Sequence, residues 1–160
     1  MANLSVQTST LNFIAEIEKF SAKAYNDYKQ WSIGYGTGIM PSGRPVKSGD
    51  TVTKEQAWEM LKRDVPLRGA IVNRHVTAPI NQNQFDALVS FVYNFNETDF
   101  KNSTLLDRIN ANPNDFEGVA AQFRRWVNAG GVPLKGLIER REKEIRLYQS
   151  GTATPTNFFF

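Results

Sequence analysis

Between Tyr25 and Asp50 five glycines (Gly34, Gly36, Gly38, Gly43 and Gly49) are interspersed with Trp31, Ile33, Tyr35, Ile39 and Val46. A helix does not tolerate that density of glycine, so the stretch must be extended chain and turns. Pro41-Ser42-Gly43 and Lys47-Ser48-Gly49-Asp50 mark two of the turns. The pattern predicts a small lobe over 25–52 holding a two- or three-stranded antiparallel sheet. Gly-x-Gly-x-Gly at 34–38 looks like a phosphate loop, but no Lys-Ser/Thr follows it and no strand-to-helix context surrounds it, which removes a nucleotide site.

Helical periodicity flanks this segment on both sides. A helix is predicted over 9–24, capped by Ser9 or Thr10, with Phe13, Ile17, Phe20 and Ala24 as its central stripe and Leu11 and Ile14 beside it. Glu18 lies about 100° round from Ile17, at the shoulder of the apolar face. That position suits a proton donor, and it equally suits an ordinary helix carboxylate such as Glu16. Thr53 with Gln56 reads as a capping box opening a helical lobe over 53–150. Pro66 is expected to interrupt its first helix. Asn81 with Gln84 opens the most apolar helix, carrying Phe85, Leu88, Val89, Val92 and Phe95. Another helix is predicted over Asp115–Trp126, with a turn at Ala129-Gly130-Gly131. The last helix, Leu134–Gln149, places Leu134, Ile138, Arg141, Ile145 and Tyr148 on one stripe. Arg141 then points inward and needs a carboxylate, because an unpaired buried guanidinium costs several kcal/mol. Residues 151–160 read as an irregular tail ending Phe158-Phe159-Phe160, and 1–160 as a single domain.

Composition narrows the chemistry. The 160 residues contain no cysteine and one histidine, His75, which excludes thiolate sites and disfavours a Ser-His-Asp triad; His75 reads as a surface residue. No apolar run is long enough to span a membrane, and no export signal is recognised at the N-terminus. The net charge of +3, with seven Lys or Arg against three Glu over 124–149, fits an anionic partner such as a cell wall, though solvated helix charge is the plainer reading.

The spacing of the polar residues is more specific. Asp27 follows Glu18 by nine positions, Ser32 follows Asp27 by five, and Ile33-Gly34-Tyr35-Gly36 comes next, with Tyr25 two before the Asp. This stretch resembles the active-site segment of the phage-type lysozymes (endolysins and muramidases of glycoside hydrolase family 24), which read Glu, eight residues, Asp, five residues, Thr, Ile-Gly-x-Gly. Here Ser32 stands one position early and in place of Thr. Lys19 replaces the usual Gly after the Glu, and Thr37 replaces a common His. The runs 82–94 and 100–106 also resemble the family, so the similarity covers roughly 11–149.

The resemblance implies an α+β, mainly helical, lysozyme-like fold, with a small antiparallel sheet lobe and a larger helical lobe flanking a cleft. It implies a phage endolysin that hydrolyses the β-1,4 bond between N-acetylmuramic acid and N-acetylglucosamine in peptidoglycan. Glu18 would be the acid, Asp27 the ionised partner and Ser32 the residue that positions water. Tyr35, Gly36, Tyr93 and Ser103 would line the sugar site. An Arg at the start of the last helix pairs with the catalytic Glu in the family: Arg140 by counting, Arg141 by the stripe. The family's usual inversion would set the carboxyls about 6.5–9.5 Å apart. No metal or cofactor, nucleic acid or stable membrane insertion is implied. The chain is expected to be a monomer, made in the host cytoplasm and acting on the wall after release. A lytic transglycosylase and a catalytically silent wall-binding or virion module are the alternatives.

Overall fold

The computed structural model describes residues 3–27 and 30–150, and the expected Phe158–Phe160 tail lies outside them. Among the described residues there are seven helices and two small antiparallel sheets. The chain falls into two compact units, one formed by 6–67 and the other by 1–5 with 68–160.

In the 6–67 unit, α1 spans Thr8–Glu18. It begins one residue earlier than predicted, because Gln7 is the cap and the Thr10 hydroxyl accepts from the Gln7 N–H at 3.0 Å. It also ends six residues early. Lys19 takes φ 62° and ψ 146°, a backbone conformation that ends the helix at once. The buried face is accordingly Leu11 and Ile14. Phe20 and Ala24, assigned to the helical stripe by periodicity, pack instead against the sheet's core.

β1 (Ser21–Asp27) pairs antiparallel with β2 (Gln30–Gly34), with a register shift between Ser21 and Tyr25. On its other side β1 is held by Ala24 N–H to Asp50 O and Val52 N–H to Ala22 O, so the chain around Thr51 serves as a third, partial strand. Ile33, Val46, Val52, Ala57 and Met60 form the core beneath, with Trp31, Tyr35 and Met40 packed at its edge. Gly34 has φ 66°, and a Cβ there would lie 2.9 Å from Ala57 Cβ, so glycine is required twice over.

The loop after β2 is tied down by charge. Arg44 grips Asp50 with two hydrogen bonds, 2.9 and 2.8 Å, and the Lys47 N–H donates to the same carboxylate at 2.8 Å. The Arg63 guanidinium donates to the carbonyls of Met40 and Ile39 at 2.9 and 2.8 Å.

α2 runs unbroken from Lys54 to His75, and the boundary between the units falls within it. The predicted capping box is present, with Thr53 and Gln56 bonding reciprocally at 3.0 and 3.1 Å. Pro66 does not interrupt the helix as expected. It sits on the exposed side while Leu61, Val65 and Val72 are buried, so the carbonyl it leaves unbonded faces water.

In the other unit, α3 (Gln82–Asn94) is capped by Asn81 and Gln84 as predicted and buries Phe85, Leu88, Val89, Phe91 and Val92. α4 (Glu97–Lys101) and α5 (Thr104–Ala111) follow, capped by Asn96 and Ser103. α6 is shorter than predicted, Phe116–Phe123, with Asp115 as its cap. The Gly130-Gly131 turn joins β3 (Asn128–Ala129) to β4 (Val132–Pro133). α7 (Lys135–Ser150) buries Arg141, Ile145 and Tyr148, whereas Ile138 is 43% exposed and leaves the expected stripe. Phe91 is the aromatic hub, with Phe123 and Trp126 edge-on at 5.8 and 5.4 Å. His75 is largely enclosed rather than a surface residue, with Nε2 2.8 Å from Glu97 and its ring edge-on to Phe100.

Lys19 occupies backbone space that is nearly reserved for glycine, a strain on the order of 1–3 kcal/mol. Glycine's extra freedom in the unfolded chain takes back roughly 0.5–1 kcal/mol. Lys19→Gly should therefore stabilise the protein by about 1 kcal/mol, a rise of about 2–4 °C in melting temperature; a fall would refute the strain.

The bond from Arg44, followed by that from the Lys47 N–H, lowers the Asp50 carboxyl from 3.8 to about 2. A depressed carboxyl stabilises the fold above its unfolded value, and that stabilisation is lost as pH falls through the folded one. Between about pH 4 and pH 2 the wild type should lose more stability than Asp50→Asn, which lacks the titrating group. Urea unfolding at stepped pH reads the difference, and parallel curves would contradict it.

Candidate active site

Glu18, Asp27, Ser32, Tyr35 and Gly36 all lie in the 6–67 unit. Glu18 is the last residue of α1, half-buried, so the helix register and the abrupt exit at Lys19 fix where its carboxyl points. Gly36 lies directly against it. A Cβ on Gly36 would come 2.6 Å from Glu18 Oε1 and 3.0 Å from Cδ.

The sheet register groups the other residues. Tyr25 pairs with Ser32, Asn26 with Trp31 and Asp27 with Gln30. Side chains alternate along a strand, and directly opposed residues share a face. One face therefore carries Tyr25, Asp27, Gln30 and Ser32, and the other carries Asn26 and Trp31. Trp31 packs on the core, as the second assignment requires. The one-residue-shorter interval to Ser32 thus still leaves its hydroxyl on the Asp27 face.

Electrostatics join this face to α1. Burial pushes the Tyr25 phenol up to about 12, and the charges of Glu18 and then Asp27 push it the same way. Both carboxylates therefore act on one hydroxyl. The Ser32 Oγ is buried and has no hydrogen-bond partner among the described residues. Tyr35 is half-buried, its ring 5.8 Å from that of Phe20.

The remaining candidates belong to the other unit. Tyr93 is half-buried with the Arg68 guanidinium over its ring at 5.7 Å. Ser103 is 3% exposed; its hydroxyl donates to Phe100 O at 2.7 Å and accepts from the Leu106 N–H at 3.0 Å. Arg140 and Arg141 are both buried and share Glu144. Arg141 donates to its two oxygens at 2.6 and 2.9 Å and lies 5.2 and 5.0 Å from the ring centres of Phe91 and Phe95. Arg140 reaches it at 3.3 Å and bonds Ser90 O at 3.0 Å. On the basic face, Arg124 is paired with Glu142 at 2.8 Å.

Sequence reasoning missed three participants. Glu144 supplies Arg141 with a carboxylate in its own unit, and its place three residues on in a helix could have identified it. Gln30 faces Asp27 across the sheet with its carboxamide against Gly38, which only strand register reveals. Tyr25 was matched to the motif without a part in the chemistry.

Two carboxylates carried by neighbouring elements beside a half-buried phenol are groups suited to general acid–base chemistry. Comparison with known proteins narrows this further. The phage lysozyme family model matches residues 15–144, so the chain belongs to that family and is a hydrolase of the lysozyme type. It is 35% identical to an endolysin of Acyrthosiphon pisum secondary endosymbiont phage 1, over 92% of this chain and 99% of that one. It is 36% identical to an endolysin of Bacillus phage PZA over 93% of its own length, and spans 57% of that longer protein. The solved endolysin from Escherichia coli O157:H7 phage FAHEc1 superposes with a TM-score of 0.82 at 35% identity, covering 93% of this chain and 96% of that one.

Gly36→Ala would drive a methyl group into the Glu18 carboxyl and strain a residue held at φ 81°. A misplacement of about 1 Å at a reacting group costs about 10²-fold. Clearance of peptidoglycan turbidity should slow on that scale, and an unaffected rate would show that Glu18 is not the group displaced.

Proposed function

We propose that this chain is a phage endolysin that hydrolyses the β-1,4 bond between N-acetylmuramic acid and N-acetylglucosamine in host peptidoglycan. The observation that carries the reading is that Asp27 and Ser32 share one face of the sheet while Glu18, at the end of α1, lies against Gly36 in the loop that follows the same sheet. Glu18 protonates the leaving glycosidic oxygen. Water adds to the anomeric carbon and its proton passes to Asp27, which until then opposes the positive charge that builds on the sugar ring. Ser32, whose hydroxyl has no partner among the described residues, keeps its donor and acceptor for that water. Because the hydroxyl is buried, the water it orients is one enclosed with the substrate.

Tyr35 and Gly36 beside Glu18, together with Tyr93 and Ser103 of the other unit, are proposed sugar contacts. Arg140 and Arg141 are proposed supporting residues. No helix among the described residues is long and apolar enough to cross a membrane. The reading takes the enzyme as a monomer that accumulates in the host cytoplasm and reaches the wall after release.

Mass spectrometry of fragments released from purified peptidoglycan tests the reaction. Reducing-end muramic acid is expected; anhydromuramic ends would make the chain a transglycosylase, and an absence of fragments a silent binding module. Glu18→Gln should reduce release by about 10²–10⁴-fold while leaving the circular dichroism spectrum unchanged. A fully active variant would remove Glu18 from the mechanism.

A further inference from the structure

Gln30 stands at the edge of the candidate site, and two contacts fix where its side chain lies. Its backbone pairs with Asp27 across the sheet, so the two side chains leave the same face with their Cβ atoms about 4.5–5.5 Å apart. Its carboxamide lies against Gly38: a Cβ on that glycine would meet Nε2 at 2.8 Å and both Cδ and Oε1 at 3.1 Å. Gly38, unlike Gly34 and Gly36, has no positive φ, so its backbone would accept a side chain. What a side chain there would lack is room, and the Gln30 carboxamide takes that room. The two glycines after β2 thus seat two polar heads, Glu18 at Gly36 and Gln30 at Gly38.

The side chain runs toward the chemistry rather than away from it. Thr37 is bridged antiparallel to Ile33, so the chain that follows, at Gly38, passes beside the Ser32 end of β2. Gln30 therefore starts opposite Asp27 and ends near the level of Ser32. The residue is exposed, and among the described residues its carboxamide makes no hydrogen bond. Two donors and an acceptor are left for a ligand. A glutamine already pressed on a glycine also has less rotamer freedom to lose on binding than a loose one.

Both sugars of the proposed substrate carry an acetamido group on the carbon next to the anomeric one. A sugar whose anomeric carbon faces Asp27 and Ser32 brings that group onto the same face as Gln30. The acetamido group offers one N–H and one carbonyl, and a carboxamide can answer either. Being neutral, it does so without disturbing the charge of Asp27, as a lysine or glutamate in its place would. We propose that the Gln30 carboxamide is a specificity-determining contact that reads the 2-acetamido group of the sugar held at Asp27, and that Gly38 is glycine in order to seat it. The proposal rests on the hydrolase reading above.

The test compares soluble glycan strands from peptidoglycan with the same strands stripped of their N-acetyl groups. Wild type should prefer the N-acetylated strands. Gln30→Ala should shrink that preference, read as the ratio of the two kcat/KM values, by about 3–10-fold, the scale of one neutral hydrogen bond. Gly38→Ala should do the same while its melting temperature holds, because its methyl displaces only the end of a flexible side chain. A fault in folding or in Asp27 would slow both substrates together and leave the ratio alone, so an unchanged ratio in Gln30→Ala overturns the proposal. A wild-type chain that cleaves neither material sinks the hydrolase reading instead. NMR of the intact protein gives a second reading. The Gln30 side-chain N–H resonances, identified by their loss in Gln30→Ala, should shift on adding a soluble N-acetylated oligomer and stay still with its free-amine counterpart. Resonances that ignore the N-acetylated oligomer, or answer both alike, would also overturn it.

Discussion

A chain leaving a helix to enter a strand must abandon its hydrogen-bond ladder within a residue or two, and here a single lysine does so. Lys19 turns the backbone to φ 62°, so Glu18 is the last helical residue and Ser21 already belongs to a sheet. The rest of the 6–67 unit depends on that exit. It frees Phe20 and Ala24 to cover the sheet's core, and it leaves the Glu18 carboxyl against a glycine that has no side chain to displace it. Strained backbone concentrates at functional sites because geometry there is selected ahead of comfort. Glycine would meet the same angles without strain.

The larger unit answers a different problem, two guanidinium groups enclosed on one helix. Arg140 and Arg141 share the Glu144 carboxylate, Ser90 contributes its carbonyl and its hydroxyl, and two phenylalanine rings lie against Arg141. Such a network contributes little net stability, since desolvation offsets most of the attraction. Its requirement is geometric. α3 and α7 must meet at the register that brings Ser90 to Glu144, and apolar packing alone would tolerate neighbouring registers. The aromatic cluster round Phe91 fills the space on one side of this polar core.

How much of this was legible depended on the range of the forces involved. Capping boxes at Thr53 and Asn81 are local and were read correctly, as was the glycine-bearing sheet. Three other expectations failed because tertiary context decided them. Apolar spacing from Phe13 to Ala24 continues past a backbone angle that no periodicity encodes. Pro66 keeps its helix because its exposed side faces water. Ile138 continues a stripe on paper but lies outside the buried face of its helix. In the candidate site, spacing alone nominated the two carboxylates, whereas Gln30 and the partnering of Tyr25 with Ser32 became visible only once two strands were set in register. Glu144 lies three residues after Arg141 and was within reach of a simple helical rule.

The register that places Tyr25 opposite Ser32 also determines where the chain tolerates a change in length. One residue added within β1, between Glu18 and Asp27, would turn Asp27 to the opposite face of the sheet from Ser32. One residue added between Asp27 and Gln30 lengthens only the hairpin connection and leaves the pairs behind it, and every side chain on the face, where they were. Insertions and deletions are therefore not interchangeable along this segment. Descent with altered length is open at the end of the hairpin and closed within β1, so the interval between the two carboxylates should persist in lineages where the interval to the hydroxyl drifts.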